Sequence, residues 1–332
     1  MPRKSLVVLA LVSLLLLALP RGARADNVLK FGSLAPSSSP WAQVLRVWQR
    51  AVNERSHGEL RLQFYWNGTQ GDESDMIGKV KAGQLDGAAV SAIGLGRIHK
   101  PILALMMPGL FGSWNALDKA RASLRPEFQQ AALRDKGLLI AGWGDVGRVH
   151  MFSRGFEVTG PSSLRGQRPL VNRDDDISRT LYQVIGGVTP VPLSVPEVLP
   201  ALNAGSLSVV NAPSLVCEQM QWAGRLDHMV LDSATMVIGA MVLSDRRISQ
   251  LPADQRELLT QTGEVASREL TRRIRAEDDA AFARLREKMT TRSLSDSEKA
   301  EWREVFRTVR DRLSQQGVFP PELIARIEKM GG

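Results

Sequence analysis

The chain has 332 residues, 43% hydrophobic and 23% charged, a globular composition that excludes a disordered, collagenous or repeat-array polypeptide and whose length suits two domains. Its formal net charge is +8, but Arg3, Lys4, Arg21 and Arg24 fall in the first 25 residues without an acid, which leaves +4 on the rest. The remaining basic residues are dispersed and aromatics are only 5%, so no nucleic-acid partner is expected.

The first element is a targeting signal. Arg3 and Lys4 form a basic start, residues 6–19 are almost wholly apolar, Pro20 breaks the run, and Ala23-Arg24-Ala25 places small residues where a signal peptidase reads. The apolar run is shorter than the ~20 residues a spanning helix needs. A secretory signal peptide cleaved near Ala25 is expected, followed by a soluble exported protein. Cys217 is the sole cysteine, so no internal disulfide is available and a small buried side chain is the expected role.

Beyond the signal, strands and helices alternate. Residues 28–34 read as a strand, Pro36 to Pro40 as a loop, and Trp41, Val44, Leu45, Trp48 and Val52 recur at helical spacing up to Gly58. Residues 60–66 alternate as a strand, and Asn67-Gly68 turns the chain. A helix follows over about 72–81, stopped by Gly83, and then a strand over 85–90. Strands are expected at 138–143 and again at 148–153. Residues 177–185 read as a helix, 188–193 as a strand, Ser194 with Glu197 as a capping box, and 207–211 as a strand. From Pro252 a helical pattern runs to about Met289 and is long enough to brace two lobes. Ser295 with Glu298 caps another helix to about Gln316, and Pro320-Pro321 opens a last short one.

Two segments match each other: Lys81-Ala-Gly-Gln-Leu-Asp-Gly-Ala-Ala-Val90 and Asn203-Ala-Gly-Ser-Leu-Ser-Val-Val-Asn-Ala212. Each is a helix end, a glycine stop and a buried strand, which points to two related α/β lobes with a cleft between them. The expected division is a signal peptide at 1–25, lobe I from 26–147 with about 236–270, and lobe II from 148–235 with about 271–332.

Catalytic and cofactor motifs are sparse. His57, His99, His150 and His228 do not pair at metal-ligand spacing, and neither a nucleophile elbow nor a Walker loop occurs. No cofactor and no enzyme activity are expected. Gly142-Trp-Gly-Asp-Val-Gly147 matches a dinucleotide fingerprint, but a strand rather than a helix follows, so the glycines read as a strand-to-strand crossing near the hinge. Asp174, Asp175 and Asp176 precede a helix whose positive end they complement, and Asp72-Glu73 stand likewise. Trp114 and Trp222 fall in less regular segments, whereas Trp66 and Trp143, at strand ends facing the cleft, are candidates for a ligand wall.

In order and spacing the chain resembles the extracytoplasmic solute receptors of TRAP transporters, the dicarboxylate-binding type. The matching segments are Leu29-Lys-Phe-Gly-Ser-Leu-Ala-Pro36, Asn67-Gly-Thr-Gln-Gly-Asp-Glu73, Gly83-Gln-Leu-Asp86, Met107-Pro-Gly-Leu-Phe111, Ser163-Leu-Arg-Gly166, the run from Gly186 to Gly205, and Leu251-Pro-Ala-Asp254. The resemblance implies a two-lobed α/β fold of the periplasmic-binding-protein kind, with a hinge and a long helix bracing both lobes. It also implies a periplasmic location, closure on a small molecule, delivery to TRAP-type permease subunits, and in some systems an auxiliary scaffold protein. By the same resemblance Arg148 and Glu73 occupy family positions, and the carboxylate clamp, an arginine four residues after a Leu-Lys-Gly motif, falls after Leu164-Arg-Gly166 on Leu170. An assisting asparagine falls at Ala212, beside Asn211. The ligand-facing candidates are therefore Trp66, Asn67, Glu73, Trp143, Arg148, Leu170, Asn172, Arg173 and Asn211.

Leucine lacks the planar fork with which a guanidinium holds a carboxylate, a loss on the order of 2–5 kcal/mol for such a ligand. An apolar or amphipathic ligand is expected, unless Arg168 or Arg173 substitutes for the clamp. The competing readings are an ABC-type receptor, a sensor presenting its ligand to a signalling partner, and an exported enzyme.

Overall fold

The first lobe is assembled around a three-stranded parallel unit. The computed structural model describes residues 27–331, so the signal segment lies outside the described residues. Strand β1 (Asn27–Ser33) lies between β2 (Leu60–Tyr65) and β3 (Gly87–Ser91), parallel to both. Helix α1 (Pro40–Arg55) crosses from β1 to β2, its Ser39 cap accepting from the Ala42 amide. Its buried Leu45, Trp48 and Val52 pack with Leu29, Phe31 and Phe64 of the sheet. Helix α2 (Glu73–Ala82) starts in an Asp72/Asp75 capping box and ends at Gly83, whose φ of 76° suits glycine at a helix C-terminus.

After α3 (Ala92–Ile98) and a 3-10 segment (Lys100–Met106) comes α4 (Trp114–Lys136), a 23-residue helix. Trp114 is thus the first residue of a helix and not part of an irregular stretch. Interior Pro126 and the many charged residues dilute its periodicity, while Leu117, Leu124 and Phe128 are fully buried.

Strand β4 (Leu138–Ser153) corrects the expectation of two strands here. It is one 16-residue strand that pairs antiparallel with β9 (Thr235–Ser244), with register shifts between Ile140 and Gly142 and between Asp145 and Gly147. The glycines sit within this strand because the long helix α9 (Ala253–Lys288) lies against it. A Cβ on Gly142 would stand 2.0 Å from Ser267 Oγ, and one on Gly147 (φ 144°) 2.6 Å from the Asp278 carboxyl carbon. Bulges of this kind bend a strand and re-aim its side chains.

The second lobe repeats the order of the first. Strand β5 (Leu170–Asn172), α5 (Asp176–Ile185), β6 (Val191–Leu193), α6 (Val195–Asn203) and β7 (Val209–Pro213) follow one another. Gly186 and Gly187 both take positive φ, so β6 begins later than the hydrophobic run suggests. The capping box of Ser194 and Glu197 opens α6, and Gly205 (φ 67°) takes the place that Gly83 holds in the first lobe. Strands β5 and β6 are parallel, Pro169 bridges Val209, and β7 runs antiparallel to β4. The order β6-β5-β7-β4 therefore mirrors β2-β1-β3-β9.

Helix α7 (Ser214–Gln219) and β8 (His228–Val230) complete this half, and Trp222 between them is buried. After β9 come α8 (Asp245–Ser249) and α9, and then β10 (Thr290–Arg292), which pairs with β8. One sheet in the order β10-β8-β4-β9-β3-β1-β2, with β7 also on β4, spans both lobes. Helix α9 packs on α1, β4 and α7, and so braces them. Trp48 Nε1 donates to Thr262 at 3.0 Å, and Asp278 accepts from the Arg148 and Leu215 amides at 2.8 and 2.9 Å. Helix α10 (Asp296–Gln315) packs on α5, and α11 (Pro321–Gly331) packs back on α4 and on Lys100–Met106 in the first lobe.

Candidate functional site

A cavity of about 680 Å³ lies between the lobes. Its walls come from the carboxyl ends of β1, β3 and β7, where ligands of open α/β sheets bind. Leu34 and Ala35 follow β1, Val90 and Ser91 end β3, and Asn211, Ala212 and Pro213 end β7. The floor is formed by Val149 and Met151 of β4 and Val237 and Met241 of β9. Ile177 and Leu181 of α5 and Leu170 of β5 close the second-lobe side.

Four of the sequence candidates line this cavity: Glu73, Leu170, Asn172 and Asn211. Glu73 is 8% exposed, and both of its oxygens are engaged. One accepts from the Ser91 amide at 2.7 Å, the other from Ser91 Oγ at 2.8 Å and the Gly94 amide at 2.7 Å. Burial pushes its carboxyl above the usual range, partly offset by these donors. Asn172 Oδ1 accepts from the Asp174 amide, and Asn211 Nδ2 donates to the Tyr182 hydroxyl at 2.9 Å. The buried Asn211 Oδ1 has no hydrogen-bond partner among the described residues.

The other five candidates lie elsewhere. Trp66 stacks on Phe64 at 4.9 Å beneath Arg46, and Asn67 accepts from the Ser37 amide in the turn after β2. Trp143 is 8% exposed and packs towards Phe128. Arg148 lies 5.3 Å over the Trp114 ring, because β4 presents Val149 and Met151 to the cavity and alternate residues to the other face. Next along that face, His150 packs on Phe282 and meets the Val230 carbonyl at 3.2 Å. Burial holds His150 down to about 4, so it is a neutral core histidine. Arg173 pairs with Glu197 at 2.7 Å, and Arg168 donates to the Gly205 carbonyl. Neither of these arginines is among the lining residues.

The aspartate triplet has three different roles. Asp175 caps α5, accepting from the Ser178 amide at 3.0 Å, and burial raises its pKa. Asp174 accepts from Ser74 and lies 3.6 Å from Arg97, while Asp176 meets Lys100 at 2.6 Å. Ser74, Arg97 and Lys100 belong to the first lobe, so these contacts join the lobes across the cleft. Asp145, with its side chain fully buried, is held by Arg121 at 2.7 Å and Arg275 at 2.6 Å. Residues that periodicity did not single out also line the cavity, among them Phe111, Met241, Trp302, Arg303 and Phe306. The unbroken apolar run at 236–243 is a signal of a buried strand that was there to be read. Among the described residues no group of three or more His, Cys, Asp or Glu is placed to hold a metal, and no helix is long and apolar enough to cross a membrane.

Two similar lobes on crossing strands, braced by one helix and closed over a largely apolar cavity, define a receptor that encloses a small molecule. Residues 31–316 match the model of the bacterial extracellular solute-binding protein family 7, and the chain belongs to that family. It is 24% identical over 233 residues to a solute-binding protein of Chromohalobacter salexigens, covering 68% of each chain. It is 22% identical over 198 residues, 60% of each chain, to the 2,3-diketo-L-gulonate-binding periplasmic protein of Escherichia coli. Two solved structures show the same fold. The periplasmic solute-binding protein of Sulfurospirillum deleyianum with bound succinate has a TM-score of 0.85 at 15% identity, covering 92% of this chain and 99% of that one. The sugar acid binding protein of Advenella mimigardefordensis with galactonate has a TM-score of 0.86 at 16% identity, covering 92% and 98%. By its family the chain is an extracellular solute-binding receptor and not an enzyme. Receptors of this type bind small molecules outside the cytoplasm and work with membrane permease subunits.

Proposed function

We propose that this receptor captures an apolar or amphipathic organic molecule and presents it to the membrane subunits of a TRAP-type permease. Export through a signal peptide cleaved near Ala25 into the periplasm belongs to the same proposal, as do the lobe boundaries given above and delivery assisted by an auxiliary scaffold protein. The observation that carries the ligand class is Leu170. It stands at the position the resemblance assigns to the clamp arginine, it lines the cavity, and the nearby Arg168 and Arg173 are engaged elsewhere. A small dicarboxylate would meet Leu170, a Glu73 whose oxygens are already bonded, and the acid Asp175. Both carboxyls disfavour a second negative charge beside them. Of the candidates, Glu73, Leu170, Asn172 and Asn211 are proposed to touch ligand, and Trp66, Asn67, Trp143, Arg148 and Arg173 to act through the way the lobes close.

The test is a native mass spectrum of the purified mature protein with identification of what co-purifies. An apolar or amphipathic molecule is expected, released by denaturation and weakened by Leu170→Asp. Leu170→Arg should gain affinity for succinate. A small hydrophilic dicarboxylate bound to the unaltered protein would overturn the ligand class while leaving the receptor assignment standing.

A further inference from the structure

We propose that Arg303, assisted by Lys299, anchors an oxyanion head group of an amphipathic ligand, so that the cation missing from β5 is supplied from α10. The inference rests on the reading of the cavity as a site for a largely apolar body. Among the described residues, Lys299 and Arg303 are the only basic side chains that line it. Lys299 is engaged, its Nζ 2.9 Å from Asp232, which also accepts from the Leu294 amide at 2.7 Å. Arg303 makes no hydrogen bond, ion pair or ring contact among the described residues, although most other arginines of the chain do.

The helix that carries Arg303 is tied to both lobes. Trp302 is 2% exposed, donates from Nε1 to the Thr159 carbonyl at 2.9 Å and stacks on buried Phe306 at 5.6 Å. Two turns further on, Arg310 donates to the Pro108 carbonyl of the first lobe at 3.1 Å. Arg303 therefore stands where the lobes meet, beside aromatic side chains that share the cavity wall. A guanidinium is weakly hydrated and presents a planar fork to a carboxylate, sulfonate or phosphate, so it binds such a head group at an apolar rim at small desolvation cost. A ligand with one charged end and a hydrocarbon or aromatic body satisfies both features of the cavity. A compact dianion satisfies only one.

The test uses two fluorescent probes with the same ring system: 8-anilinonaphthalene-1-sulfonate, which is anionic, and N-phenyl-1-naphthylamine, which is neutral. Each is titrated into the mature protein and into Arg303→Gln, Lys299→Gln and Leu170→Asp. Arg303 is exposed on its outer side, so Arg303→Gln should raise the Kd of the sulfonate about fivefold and leave the neutral probe unchanged. Lys299→Gln should have the same sign and a smaller size, and Leu170→Asp should weaken both probes. An unchanged ratio of the two affinities in Arg303→Gln would overturn the anchor alone. Binding of both probes untouched by Leu170→Asp would place the anchor outside the cavity and overturn it too. If neither probe binds the unaltered protein, the apolar reading of the cavity fails and the anchor falls with it.

Discussion

The two lobes share an order of elements but are held together differently. In the first, strands of 7, 6 and 5 residues pair in the main sheet, Phe31, Phe64 and Trp66 stack in sequence across it, and Trp48 meets Phe31 edge-on. In the second, β5 and β6 have three residues each and form a separate sheet, supported by the Leu202, Val210 and Trp222 cluster. The consequence lies in the side chains. Strand β1 spends Leu29 and Phe31 on the buried interior and reaches the cavity only at its last residue, Ser33. Strand β5 buries Val171 at 3% exposure and, by the pleat alone, turns Leu170 and Asn172 to the cavity. Specificity residues can therefore vary in the second lobe without disturbing the core that holds the first.

The largest effect that tests this contrast is on stability. Phe31→Ala removes a fully buried ring from two aromatic contacts and should cost about 3–5 kcal/mol in urea unfolding. Leu170→Ala, on a half-buried side chain, should cost about 1 kcal/mol. Equal costs would mean that the lobes are supported alike.

The second prediction concerns the brace between the lobes. Burial raises Asp278 to about 6, so the folded state holds its proton more tightly than the unfolded chain, and its contribution to stability falls as pH rises from about 4 to 6. His150, lowered to about 4, has the opposite sign: its contribution is lost as pH falls from 6.5 towards 4. The two oppose each other, and Asp278→Asn leaves the histidine uncompensated. The stability difference between variant and parent should shift in the variant's favour by about 1 kcal/mol per pH unit between pH 4 and 6, read from unfolding curves across that range. A flat difference would show that Asp278 titrates in the brace as it does in the unfolded chain.

The smallest effect is expected at the cleft rim. Removing Asp174 and Asp176 together, as Asp174→Ala with Asp176→Ala, deletes the contacts to Ser74, Arg97 and Lys100. Because these groups are partly exposed, ligand dissociation should quicken about threefold, and the difference should shrink at high salt. Stopped-flow release at two ionic strengths measures it.

Much of the architecture was legible because local chemistry and tertiary structure agree. The paired helix stops at Gly83 and Gly205, the capping boxes at Ser194 and Ser295, and the 36-residue helix follow from spacing and stop signals. Helix α4 was hidden by Pro126 and a diluted apolar face, and β4 by glycines that punctuate a strand only because a helix lies on them. For the site, Leu170 and Asn211 were found through a short motif and a strand end, whereas Arg148, chosen from a family position, faces away from the cavity, and Trp143, expected at a strand end, lies inside the continuous β4 and beside the cavity.

The sequence by itself determined most of the elements, their repetition and the family, because periodicity, caps and glycine stops act over a few residues. Only the tertiary structure decided which side chains face the ligand. A bulge in β4 sets which face Arg148 takes, and the docking of α10 brings Arg303 to a cavity most of whose lining residues lie more than sixty residues away in the chain. Those outcomes depend on long-range packing, which no local pattern encodes.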